Sequence, residues 1–155
     1  MSAKPPAGVL EAVVRDLGLT EDEARTRLLN EIRLTPIAAN LRRKLGDRFA
    51  GAWLLPPHAQ TLVVATTDSA DTFMISERGA RPLVVGRSLA DLERVRERLN
   101  HSAPGLAKLS SVRYVGVRVN KIVILTSSPE AVRKAVEAAG VDRGAVEVTA
   151  SAERP

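Results

Sequence analysis

The chain has 155 residues, of which 45% are hydrophobic and 26% are charged, and its net charge at pH 7 is +5. This globular composition fits one ordinary domain or two small ones, and the aromatic content of 3% predicts an aliphatic core. The sequence has no cysteine, which excludes disulfides and thiol chemistry, and no apolar run is long enough for a membrane-spanning helix.

The N-terminal part of the chain is predicted to be helical. A first stripe of apolar residues at helical spacing ends at Gly18. Thr20 and Glu23 then form a capping box, which predicts a further helical stretch that runs to Leu45. Because Pro36 lies inside this stretch, we expect either one bent helix or two helices in sequence.

The first half of the chain continues in the order strand, strand, helix, strand. Residues 50–55 and 61–67 have the composition of two strands joined by a proline-containing turn. Asp68 is predicted to cap a helix that Gly79 ends, and residues 82–85 supply a third strand.

The second half begins with a helix that Ser88 caps, followed by a loop at residues 101–111. Residues 112–119 and 122–125 are then predicted to form a β-hairpin. Its two-residue turn is placed at Asn120-Lys121, because asparagine tolerates the positive φ that such a turn needs.

A helix and a last strand complete the second half. Ser128 is predicted to cap the helix, with Pro129 at its first position and Gly140 at its end. Residues 146–149 form the strand, and residues 150–155 form an extended tail.

Each half therefore has the order helix, strand, strand, helix, strand, which indicates an internal repeat. We predict an α+β fold of two small lobes, each with a three-stranded sheet. Residues 1–86 are assigned to the first lobe and residues 87–155 to the second.

No set of residues in the sequence has the pattern of a catalytic or cofactor site. His58 and His101 are the only histidines, and each is predicted in a turn or loop. The sequence has no nucleophile elbow, no zinc-binding spacing and no glycine-rich phosphate loop. We therefore expect no catalytic residue, no cofactor and no metal.

The residues alone leave several binding functions open. Most basic residues alternate with glutamate on predicted helices, as on a solvated helix face, so the positive charge permits a nucleic-acid partner without requiring one. A ligand-sensing or structural module is a further alternative. Small sheets also have free edges to which a partner strand can add.

Six segments in fixed order carry a resemblance to a known family. They are residues 15–20 (RDLGLT), 45–53 (LGDRFAGAW), 61–68 (TLVVATTD), 92–99 (LERVRERL), 117–124 (VRVNKIVI) and 138–141 (AAGV). Taken together, this set resembles the pro-regions of secreted serine proteases of the streptogrisin and alpha-lytic protease type. The resemblance extends from about residue 10 to residue 149.

The resemblance implies a function. Pro-regions of this family catalyse the folding of the attached chymotrypsin-like protease and then inhibit it until they are degraded. The implied partner is the mature protease domain of the same precursor, with neither nucleic acid nor a membrane as a partner. The chain itself would be no enzyme, and it would be secreted as part of a precursor whose leader lies outside this chain.

In this family the sheet of the second lobe pairs with a hairpin of the protease, and the tail occupies the active-site cleft like a product. These contacts are made largely by the backbone, which explains why no catalytic residue is expected. The residues implied to bind the protease are Tyr114, Val115, Val117, Val119, Ile122, Ile124, Val146, Val148, Ser151, Ala152, Glu153, Arg154 and Pro155.

Overall fold

The computed structural model describes residues 8–102, 105–109 and 112–150. The chain divides into two compact units, Met1–Val84 and Val85–Pro155. Each unit contains one three-stranded sheet together with helices. The predicted fold class, α+β with two small lobes, is confirmed.

The first unit begins with two helices, and local signals set their ends. Helix α1 spans Val9–Leu17, and helix α2 spans Glu21–Leu45. The predicted capping box is present at the start of α2. Thr20 Oγ1 accepts a hydrogen bond from the Glu23 N–H at 3.2 Å, and Glu23 Oε1 accepts one from the Thr20 N–H at 3.4 Å.

Helix α2 continues through Pro36. Of the two predicted alternatives, the structure has the single helix. Proline removes one backbone hydrogen bond from the helix, and packing on both sides compensates for this loss. Leu34 precedes the proline and Leu41 follows it, and both side chains are fully buried. Burial of each part of the helix therefore keeps the two parts in one element.

The first sheet has the predicted strands, with each end within one residue of its expected position. Strands β1 (Phe49–Leu54) and β2 (Leu62–Thr66) are antiparallel, and β3 (Arg81–Val84) lies parallel to β2. A 3₁₀ turn at Ser69–Asp71 and helix α3 (Thr72–Glu77) connect β2 to β3.

A buried carboxylate joins three elements of the first unit. The guanidinium of Arg48 donates two hydrogen bonds to Asp71, at 2.8 and 3.1 Å. The hydroxyl of Thr66, at the end of β2, donates a third at 2.7 Å. A buried charge requires such partners. Asp71 therefore holds the segment that leads into α3 against the start of β1 and the end of β2.

The second unit repeats this order of elements. Its helices and strands are α4 (Leu89–Ser102), α5 (Leu106–Leu109), β4 (Val112–Gly116), β5 (Lys121–Thr126), α6 (Pro129–Ala138) and β6 (Val146–Ala150). Strand β5 lies in the centre, antiparallel to β4 and parallel to β6, as β2 lies between β1 and β3. The internal repeat predicted from the order of elements is thus present in the sheet topology.

Two features near α4 and α5 differ from the prediction. The region at residues 101–111 was expected to be a loop, but α4 extends to Ser102 and α5 is a short helix within it. Leu106 is fully buried in the core, so α5 is held by tertiary packing that local composition does not reveal. The start of α4 is as expected, because Ser88 and Asp91 exchange side-chain-to-backbone hydrogen bonds of 3.0 Å.

The two units share one atomic detail at the end of the central strand. Thr66 and Thr126 are both completely buried there. Thr66 Oγ1 accepts a hydrogen bond from the Asp68 N–H at 3.2 Å, and Thr126 Oγ1 accepts one from the Ser128 N–H at 2.9 Å. Ser128 stands at the predicted N-cap position of α6, but its own side chain makes no capping hydrogen bond. At the start of α6 it is the Thr126 hydroxyl that bonds to the backbone, through the Ser128 N–H.

The core of the second unit is aliphatic, as the composition predicts. Helices α4 and α6 supply one side of it and the sheet supplies the other. Its buried members are Leu92, Leu99, Leu106, Ile122, Ile124, Val132, Val136, Ala139 and Val146. The helices therefore pack on one face of the sheet.

We predict that Asp71→Asn destabilises the chain and reduces the dependence of its stability on pH. The Arg48 guanidinium holds the pKa of Asp71 below its usual value, although burial opposes this effect. Ionised Asp71 therefore stabilises the fold above the unfolded-state pKa of about 4, and this contribution is lost as the pH falls through the folded-state pKa.

At pH 7 the expected loss is about 1–2 kcal/mol, because Arg48 is half exposed and solvent screens the pair. Thermal unfolding monitored by circular dichroism between pH 7 and pH 2 measures both effects. Glu77→Gln, at an exposed position in the same unit, serves as the control. Equal stability of Asp71→Asn and wild type at pH 7 would contradict the prediction.

Candidate functional site

The sheet of the second unit has two faces of different character. Val115 pairs with Ile122, and Ile122 pairs with Val146, so these three side chains share one face. This inner face contacts the core. Tyr114 pairs with Val123, and this pair lies on the opposite, outer face of the sheet.

The outer face bears partly exposed apolar side chains. Val112 is 48% exposed and Tyr114 is 46% exposed, and each packs beside a residue of β5. Val119, in the turn after β4, is 49% exposed. We call this surface the outer patch, and it consists of Val112, Tyr114, Val119 and Leu125 around Val123, which is itself buried.

The missing side chain of Gly116 allows Val119 to join the outer patch. Gly116 follows Val112 and Tyr114 at alternating positions of β4, so it shares their face. A Cβ atom at Gly116 would lie 2.7 Å from Val123 Cγ2 and 2.9 Å from Val119 Cγ2. Both valines therefore occupy the space that a larger residue would fill.

The hairpin turn is longer than predicted. Strand β4 ends at Gly116, which pairs with Lys121, so residues 117–120 form a four-residue turn. The prediction of a two-residue turn at Asn120-Lys121 is wrong, because the turn closes earlier through a 3.2 Å hydrogen bond from the Val119 N–H to the Gly116 carbonyl. Val117 and Val119 accordingly lie in the turn rather than in a strand. The positive φ expected at Asn120 is present, at 57°.

Asn120 ties this turn to a residue distant in the sequence. Its side chain is buried, with 9% of the residue exposed. Oδ1 accepts a hydrogen bond from the Arg87 N–H at 3.0 Å, and Nδ2 donates one to the Arg87 carbonyl at 2.7 Å. The Arg87 guanidinium in turn donates to the Asn120 carbonyl at 3.4 Å and to Asp142 Oδ2 at 3.1 Å.

The structure separates the residues implied to bind a protease into different environments. Ile122 and Ile124 lie on the central strand, with buried side chains and with strands paired on both sides. Val146 is buried in the same core, and Val115 and Val148 pack against it. These three lie on the outer strands, where only their backbone can take part in an added strand.

Three of the implied residues are differently placed. Tyr114 and Val119 belong to the outer patch, and Val117 is half-buried in the turn. The implied tail contacts lie outside the described residues; they are Ser151, Ala152, Glu153, Arg154 and Pro155.

Sequence reasoning did not assign five residues to this surface, which are Val112, Val123, Leu125, Arg87 and Asn120. Val112 could have been found, because it alternates with Tyr114 in the predicted strand and so shares its face. The sequence predicted the positive φ of Asn120, but it gave no signal for the contact between Asn120 and Arg87, because that contact joins residues 33 positions apart.

The described part of the chain has no grouping of histidine, cysteine, aspartate and glutamate that could hold a metal ion. Among the helices described here, none is both long and apolar enough to cross a membrane.

Comparison with known proteins identifies two family models that match this chain. The model for the alpha-lytic protease pro N-terminal region matches residues 22–85, and the model for the alpha-lytic protease prodomain matches residues 87–143. Both models describe pro-regions rather than catalytic domains.

Two curated proteins are similar over almost the whole chain. Streptogrisin-C of Streptomyces griseus is 47% identical over 149 residues, which cover 96% of this chain and 32% of that protein. Serine protease 1 of Rarobacter faecitabidus is 32% identical over 143 residues, which cover 92% of this chain and 27% of that protein. The chain thus spans about a third or less of the length of these relatives.

We predict that Gly116→Ala destabilises the second unit by about 1–3 kcal/mol, because the added methyl group overlaps Val119 and Val123. Gly86→Ala is the matched control, since a Cβ atom there has no neighbour within 4 Å. We expect this control to change stability by less than about 0.5 kcal/mol. Urea denaturation of the two variants and the wild type measures both values. A Gly116→Ala variant as stable as the control would show that the turn can move away at no cost.

Proposed function

This chain belongs to the pro-region family of alpha-lytic protease-type serine proteases, and we propose that it catalyses the folding of its own protease domain and then inhibits it. The chain itself is a pro-region and not an enzyme. In this proposal the partner is the mature protease domain of the same precursor, and the precursor is secreted.

The outer patch is the observation that carries this proposal. Helices cover the inner face of the second sheet, whereas Val112, Tyr114 and Val119 give the β4 side of the outer face a half-exposed apolar surface. The β6 side of that face is polar, with Glu147 and Thr149. Exposed apolar clusters of this kind are characteristic of protein-binding surfaces. The family relationship supports a serine protease domain as the occupant.

The free strands of the same sheet support backbone pairing with that partner. Within the described residues, β4 and β6 each pair with β5 alone, so each has one edge with unpaired backbone groups. Strand β6 ends at Ala150 and leads into residues 151–155, the segment proposed to enter the active-site cleft. Both contacts use the main chain, which accounts for inhibition without any catalytic residue.

Folding catalysis and inhibition follow from the same contacts. Contacts that form with the protease before it is fully folded lower the free energy of its folding transition state, and this accelerates folding. Contacts that persist with the folded protease keep its cleft occupied, and this inhibits it. The two effects therefore require a single binding surface.

The alternative of a nucleic-acid-binding module receives less support. Several arginines, all exposed except the partly buried Arg27, form ion pairs with acidic residues on their own helices. These pairs are Arg25–Glu21, Arg27–Glu31, Arg94–Asp91, Arg96–Glu93 and Arg133–Glu130. Such pairing is typical of solvated helix surfaces rather than of a phosphate-binding groove.

Refolding of the cognate mature protease domain tests the proposal. The denatured domain is diluted with or without this chain, the chain is then removed by digestion, and peptidase activity is measured. We expect much higher recovery in the presence of the chain. The native enzyme, assayed before any digestion, should show dose-dependent inhibition. Absence of both effects would overturn the proposed function.

We predict that Tyr114→Ala weakens inhibition of the cognate protease by about tenfold or more, since exposed aromatic residues at the centre of a patch contribute strongly to binding. The change should lower the stability of the chain by about 1 kcal/mol, because the ring loses its cross-strand contact with Val123, so inhibition is compared at a temperature where both proteins are folded. Inhibition constants and thermal unfolding midpoints measure the two effects separately.

The control for this variant is Phe73→Ala, which removes a 72% exposed aromatic ring from the first unit. We expect this control to inhibit like the wild type. An equal loss of inhibition in both variants would argue against a specific role of the outer patch.

A further inference from the structure

We infer that Asn120 is a positioning residue, which holds the hairpin turn at residues 117–120 in the conformation that the protease binds. We call its two side-chain hydrogen bonds to the Arg87 main chain the Asn120 clamp. This inference rests on the proposed function, because it assigns a role to a residue that supports the docking surface without belonging to it.

The chemistry of the clamp is specific to asparagine. The side chain must accept a hydrogen bond from the Arg87 N–H and donate one to the Arg87 carbonyl, and only an amide can do both in this way. The residue must also adopt a φ of 57°, which asparagine tolerates better than most residues. Glycine would satisfy the backbone alone, and aspartate would retain only the acceptor.

The position of the clamp indicates a role in the turn rather than in the core. Neither Asn120 nor Arg87 belongs to the aliphatic core of the unit. The turn lies beyond Gly116 and Lys121, the last residue pair between β4 and β5. This pair fixes both ends of the turn, and the clamp adds a restraint within the turn, at its last residue.

This restraint acts directly on the outer patch. Val119 precedes Asn120 and packs over Gly116 and Val123. When the clamp fixes Asn120, Val119 stays in place, and the surface is ordered before the partner arrives. Binding then avoids the entropic cost of ordering the turn, so affinity is higher than for a mobile turn.

Arg87 also connects the hairpin turn to the segment that precedes β6. The Arg87 guanidinium bridges the Asn120 carbonyl and Asp142. Asp142 Oδ1 accepts a hydrogen bond from the Gly144 N–H at 2.9 Å and so caps the 3₁₀ turn that leads into β6. Arg87 thus holds together the turn after β4 and the segment before β6.

The test compares the wild type with Asn120→Gly, which keeps the positive φ and loses both side-chain hydrogen bonds. Inhibition of the cognate protease, the thermal unfolding midpoint and hydrogen exchange at the Val117 to Val119 amides are measured. We expect about tenfold weaker inhibition at a temperature where the variant is fully folded, together with faster exchange at these amides.

Two further variants complete the test. Asn120→Asp keeps the acceptor but sets a carboxylate oxygen against the Arg87 carbonyl in place of the donor, so it should also weaken inhibition. If the glycine variant fails to fold, a folded Asn120→Asp that inhibits as well as the wild type would overturn the clamp. Lys134→Ala, at an exposed position of α6 in the same unit, is the control, because it changes neither the clamp nor the outer patch. We expect its inhibition to be closest to that of the wild type.

The outcomes distinguish this inference from the function on which it rests. A wild-type chain that neither inhibits nor refolds the protease would overturn both. If the wild type inhibits and a folded Asn120→Gly inhibits equally well, only the clamp is overturned. A loss of inhibition that merely follows the unfolded fraction, with unchanged exchange in the turn, would also overturn it, since that is the result of a purely structural role.

Discussion

The burial of one face of the second sheet determines which residues of this unit form the core and which remain exposed. Three strands present two faces, and helices α4 and α6 supply apolar side chains for the inner face. Ile122 and Ile124 on the central strand are committed to this core. The outer face remains with Val112 and Tyr114 half exposed, because side chains alternate along β4. The surface available for a partner is therefore a direct result of where the core lies.

Much of the fold could be predicted because its signals are local. The capping box at Thr20 and Glu23 and the exchange between Ser88 and Asp91 each involve residues three positions apart. What escaped prediction depends on distant contacts. The helical conformation at Leu106 and the continuity of α2 through Pro36 both come from burial, which no short window of sequence contains.

The candidate site was harder to predict than the fold. Alternation identifies two faces of a strand, but it does not say which face is buried, so Ile124 and Tyr114 were equally plausible as contact residues. The position of the helices shows which face is buried, since Ile124 is fully buried and Tyr114 is not. A protease was inferred as the partner only from the resemblance to a family. A surface that binds through backbone and apolar contacts has no distinctive residue chemistry from which a partner could be predicted.

A buried threonine lies at the end of both central strands, and this recurrence indicates a requirement of the strand-strand-helix-strand architecture. At Thr66 and Thr126 the chain leaves a strand and enters a helical segment within a few residues, and a backbone N–H needs an acceptor inside the protein. The threonine hydroxyl that accepts this hydrogen bond lies inside the protein, since both threonines are completely buried. A short side chain with a hydroxyl supplies the acceptor without adding bulk. A designer who builds a new strand-strand-helix-strand unit should therefore place threonine or serine at this junction and choose the surrounding residues afterwards.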